Sequence, residues 1–135
     1  MRKALIEAAS SLFMLQRGLP YAPQVGVLEA AIEGLENGIN QSEEFVWSTA
    51  QRVAAVANLA ISRQHKKLPP EAKELFDRDS AHLASITRAA KEAHEGLTIA
   101  IAAGHGTSAS QSADAAMALD NVRQAIQQLS HPNRS

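Results

Sequence analysis

The sequence predicts an all-α fold: an antiparallel bundle of five helical segments with near-parallel packing, in a single domain over residues 1–135. Two observations carry this. Between helix breakers, apolar residues recur alternately three and four positions apart, the spacing that lines one face of a helix. Aromatic residues make up only 4% of the chain while alanine is abundant, so the core must form by close approach of small side chains, which suits helix pairs better than sheets.

The first segment spans about 3–17, with Leu5, Ala8, Leu12 and Leu15 on one stripe and a stop at Gly18-Leu19-Pro20. Pro20 and Pro23 keep the following stretch extended. A second segment, about 22–37, carries Val25, Leu28, Ile32 and Leu35 on one face and Glu29, Glu33 and Glu36 on the other. Asn37-Gly38 after a helical period reads as a C-terminal cap, and Asn40 or Ser42 then offers an N-cap. Glu43 and Glu44 would fall in the first turn of the next helix, where its dipole favours negative charge.

The third segment, about 42–67, has a stripe of Val46, Thr49 or Ala50, Val53, Val56 and Ala60, beside a second seam of Trp47, Ala54, Ala57 and Ile61. His65-Lys66-Lys67 suits a helix C-terminus, and Pro69-Pro70 ends the run. The fourth segment, 70–103, opens on a proline tolerated at the first helical position; its seam reads Leu75 or Phe76, Asp79, Leu83, Ile86, Ala90, Ala93, Leu97 and Ala100. Unbroken, it would be ~51 Å long, whereas a sphere of this chain length is only roughly 37 Å across. It therefore bends, with Gly96 the natural place, or the molecule is elongated. The fifth segment, about 108–130, carries Ala115, Leu119, Val122, Ile126 and Leu129, and residues 131–135 form a frayed tail.

A formal net charge of -1 gives no global field to attract nucleic acid or an acidic membrane. Basic residues are scattered among acids, and Leu68-Pro69-Pro70 makes a poor helix-turn-helix corner, so a DNA-associated regulator is the weakest reading. With no cysteine, disulfides, thiolate nucleophiles and Cys-ligated zinc are excluded, and packing alone must hold the fold. Met1 to Ile6 imitates the start of a signal peptide, but Glu7 interrupts the apolar run and Arg17 follows soon after; a cytoplasmic location is the expectation. Leu97 to Ala103 is too short to span a bilayer.

Chemistry-bearing residues are sparse. Asp79 falls on an apolar seam with His82 one turn on, an arrangement that can share a metal or a proton. No second carboxylate-x-x-His pair completes a ligand set, so no cofactor or metal is expected. Neither His82 nor His94 is followed by the Lys and Gly that surround a reactive imidazole in helical phosphotransfer bundles, and Glu95 beside His94 would repel a phosphoryl group. Gly104-His105-Gly106-Thr107-Ser108 lacks the lysine of a phosphate-binding loop and reads as a connector.

The apolar surplus is more informative. Leu12-Phe13-Met14-Leu15 covers most of the circumference of its helix, and Phe45 and Trp47 splay to either side of Val46, so some large groups must lie at a rim or an interface. Between Gly18 and Gln51 there are five Glu and no Lys or Arg. These features point to a non-enzymatic protein that forms a homodimer and binds or inhibits a protein partner through Phe13, Met14, Phe45, Trp47, Glu29, Glu33 and Glu36. The alternative is a signalling or metal-binding bundle using Asp79 and His82.

Overall fold

The computed structural model describes residues 1–21, 27–62, 68–103 and 109–130, with side chains placed for most of them. Four helices account for nearly all of this: α1 (Arg2–Gly18), α2 (Val27–Ser62), α3 (Pro70–Ala103) and α4 (Ala109–Ser130), with a 3-10 turn at Leu19–Tyr21. No strand occurs among the described residues. The connections 22–26, 63–67 and 104–108, the latter holding the Gly104-to-Ser108 connector, lie outside them, as does the tail 131–135.

The expected break between the second segment (22–37) and the third (42–67) is absent: their described parts form the single 36-residue α2. Asn37-Gly38 caps nothing, and Ser42 is a buried mid-helix residue rather than an N-cap. The physical reason is the seam. Leu28, Ile32, Leu35, Ile39, Ser42, Val46, Thr49, Val53 and Val56 continue the three-four alternation across the supposed turn, and Ile32, Leu35, Ile39, Ser42 and Thr49 are buried along it. Burying Ile39 offsets the ~1 kcal/mol that a mid-helix glycine costs. The Ser42 hydroxyl donates to the Leu129 carbonyl at 2.8 Å, satisfying a last-turn acceptor of α4 that has no partner in its own helix.

The other boundaries follow local rules. Pro20 has no N–H to extend the ladder of α1, and the chain tightens into the 3-10 turn, with the Leu19 N–H bonded to the Gln16 carbonyl. Pro70 is the first residue of α3, whose opening turn is closed by the Lys73 N–H on the Pro69 carbonyl at 3.0 Å. That helix runs unbroken through Gly96 to Ala103.

The buried set follows the stripes of α1 and most of those of α3 and α4: Ala8, Leu12 and Leu15 from α1, Leu35 and Ile39 from α2, Leu83, Ile86, Ala89, Ala90, Ala93 and Leu97 from α3, and Val122, Ala125 and Leu129 from α4. The second seam expected along 47–61 is not buried, since Trp47, Ala54 and Ala57 are exposed on the far side of the helix from Ser42 and Thr49, and Val46, Val53 and Val56 are half-buried. Around this core α1 packs on α2 and α3, while α4 packs on α2 and α3, so α2 and α3 face each other across a diagonal. Gln16 and Leu19 lie across from Glu36–Asn40, and Leu5–Phe13 from Glu43–Ala50, so α1 and α2 are antiparallel. Gly34 approaches Ile126 and Ser42 bonds Leu129, so α2 and α4, neighbours in space, are parallel. Consecutive helices are thus antiparallel, and because α2 and α3 stand on a diagonal, the side pairs α1–α3 and α2–α4 are parallel.

Gly34 sets the distance between α2 and α4. A Cβ there would lie 3.1 Å from Ile126 Cδ1 and 3.3 Å from its Cγ2, and the branched Cγ2 cannot swing away freely. Gly34→Leu is expected to destabilise the protein by about 1–3 kcal/mol through overpacking, read by urea unfolding. Leu83→Ala, at a fully buried site, is expected to cost about 2–5 kcal/mol; a change below 1 kcal/mol in the same experiment would contradict the placement of α3 in the core.

Candidate interaction surface

Large apolar side chains left outside the core occur on all four helices, Leu75 and Ile99 on α3 and Met117 on α4 among them, and several stand on the outer faces of α1 and α2. Ile6, Phe13 and Met14 on α1 are 54%, 57% and 55% exposed, and Trp47 on α2 is 69% exposed. They stay outside because each helix has one buried stripe: Ala8, Leu12 and Leu15 turn Phe13 and Met14 outward, and Ser42 and Thr49 inward leave Trp47 on the far side. Between the two helices runs an open groove of about 520 Å³, lined by Leu5, Ile6, Leu12 and Phe13 on one wall and Glu43, Val46, Trp47 and Ala50 on the other.

The interface candidates named from sequence separate here. Phe13 and Trp47 are brought together on the groove. Met14 turns to the opposite flank of α1, beside Ala90 and His94 of α3. Phe45 does not belong to a surface: it is 9% exposed and meets the His82 ring edge-on, with centroids 5.8 Å apart. With Val46 half-buried, the neighbour that turned inward was Phe45, since its side of the helix faces the α2–α3 diagonal. Glu33 and Glu36 are exposed along α2, while the side chain of Glu29 lies outside the described residues.

Three groove features were not singled out from sequence. Ile6 lies seven residues before Phe13 on one stripe, a spacing legible once the core stripe is fixed. Glu43, expected in the first turn of a helix, is instead mid-helix and half-buried in the wall. Arg17 lies one turn beyond Phe13, with its guanidinium carbon 5.8 Å from the ring centroid, so the cation covers part of the aromatic face.

Asp79 and His82 meet different partners. The Asp79 side chain, 10% exposed, has its Oδ2 3.1 Å from Arg52 Nη1 across the α2–α3 diagonal. The ion pair is close, but no N–H is aimed well enough at Oδ2 to make a hydrogen bond. Arg52 is itself anchored on its own helix by Nη2 to Thr49 Oγ1 at 3.1 Å and Nε to the Ser48 carbonyl at 3.4 Å. His82 is engaged with Phe45. Among the described residues no group of three His, Asp or Glu side chains converges, and no helix is long and apolar enough to cross a membrane. Comparison of the chain with family models, curated proteins and solved structures found no match.

Removing Arg52 strands a largely buried carboxylate, so Arg52→Ala is expected to cost about 1–3 kcal/mol, and converting both members to leucine to recover most of that loss. Chemical denaturation of the two variants checks both statements. Phe13→Ser and Trp47→Ser touch no core and, at protein concentrations low enough to keep the chain monomeric, are expected to change stability by under about 0.5 kcal/mol.

Proposed function

We propose that this chain is a small, non-enzymatic helical-bundle protein that acts in the cytoplasm, self-associates and binds or inhibits a protein partner, with the α1–α2 groove as its contact surface. The observation that carries the reading is the pairing of Phe13 and Trp47 on one open, mostly apolar groove whose other lining residues are aliphatic apart from Glu43. Exposed aromatics grouped on one concave face are the usual anchors of protein contacts, because they bury much area for little lost side-chain freedom. Scattered apolar residues would carry no such meaning, but contiguous ones do. The Arg52–Asp79 ion pair and the His82–Phe45 contact tie the most chemically suggestive side chains into the packing, which favours interaction over catalysis.

A photo-crosslinking amino acid placed at position 47 in the cells that make the protein is expected to yield covalent adducts with protein, either this chain or another. Placed instead at the exposed polar position of Gln128 on α4, it is expected to yield few. Equal yields at the two positions would overturn the reading.

A further inference from the structure

We propose that the groove is covered by the same groove of a second copy, with a two-fold axis running along the helices so that α1 of each subunit lies on α2 of the other. This rests on the interaction reading above and names its occupant.

Charge selects that occupant. α1 carries Arg2, Lys3 and Arg17 against the single acid Glu7, whereas the stretch of α2 beside it carries Glu33, Glu36, Glu43 and Glu44 and no cation before Arg52. Among the described residues the ion pairs are Arg52–Asp79 and Arg123–Asp120. Of these cations Arg17 stands level with Glu36 and Glu43 of the neighbouring helix, and among the described residues no ion pair joins them. Arg17 is held against Phe13 at the groove's edge, and Glu43 is half-buried in its wall.

An interface between identical copies must be self-complementary about a two-fold axis. Two orientations bring groove onto groove. An axis across the helices would lay α1 on α1 and α2 on α2, inverting the Leu5–Phe13 wall end for end and setting Arg17 of each subunit against the basic start of the other's α1 at Arg2 and Lys3. An axis along the helices lays α1 on the partner's α2 at the same height. Because α1 and α2 are antiparallel, with Gln16 and Leu19 level with Glu36–Asn40 and Phe13 level with Glu43, Arg17 of each subunit then falls between Glu36 and Glu43 of the other. Phe13 and Ile6 meet the partner's Val46, Trp47 and Ala50. Each apolar wall finds an apolar wall, and Glu36 and Glu43 share the partner's Arg17.

Two readouts test this on the full chain. Trp47 is the sole tryptophan, so its emission is expected to move to the blue as concentration rises through the monomer–dimer transition seen by sedimentation velocity. Arg17→Glu alone and the double change Glu36→Lys with Glu43→Lys alone are each expected to sediment as monomers, with helical circular dichroism intact. Mixed, they are expected to associate at least about tenfold more tightly than either does with itself, because every reversed contact is then matched. Wild-type protein that stays monomeric throughout the micromolar range, a dimer indifferent to both reversals, a mixture that does not reassociate, or Trp47 emission that ignores dimer formation would each overturn the proposal. Wild-type monomers combined with crosslinks from position 47 to a different protein would remove the second copy as occupant and self-association with it, and leave the binding of another protein at the groove standing.

Discussion

The hydrogen bond from the Ser42 hydroxyl to the Leu129 carbonyl sits where α2 would break if its local signals prevailed. Asn37, Gly38, Asn40 and Ser42 all favour a turn when considered within a few residues of themselves. Against them stands one continuous seam, with Leu35, Ile39 and Thr49 buried on the same line as Ser42. Keeping the helix intact puts the Ser42 hydroxyl on the end of α4, and it puts Gly34 against Ile126, so two contacts that locate α4 depend on the same straight segment. The path of the chain follows: a long α2 must return along the diagonal as α3, and α4 closes the remaining side.

The helices were legible because periodicity and proline act over short distances. Pro70 begins α3 as its position predicts, and the stripe of Leu12 and Leu15 goes inward in α1. The failure at residues 37–42 has a definable origin. Cap residues report what a local turn would gain, whereas burial of Ile39 depends on helices far away in sequence, and the second effect is the larger. Counting Ile39 and Ser42 on the seam shows the continuity without any structure. The choice between Phe45 and Trp47 was not available in this way. The two flank Val46 symmetrically in sequence, and only the diagonal approach of α3, which brings His82 to one side, separates them.

The surface was legible in outline and not in assembly. Excess apolar residues in α1 and the acidic run in α2 are plain in the sequence, but their being adjacent walls of one groove depends on the antiparallel pairing of those two helices. The pairing of Arg52 with Asp79 is similar: a carboxylate on an apolar seam needs a compensating charge, and which of several cations supplies it is decided by packing alone.

The unequal lengths of the helices have a further consequence. α1, with 17 residues, reaches along α2 only to about Ala50, and α4 ends level with Ser42. Beyond that level Ala54, Ala55 and Ala57 of α2 are exposed, and Arg52–Asp79 is one contact that ties this end to α3. Cohesion is therefore graded along the long axis. Amide hydrogens past position 52 are poised to exchange by fraying of that end alone, while those around Leu35, Leu83 and Val122 exchange only when the whole molecule opens.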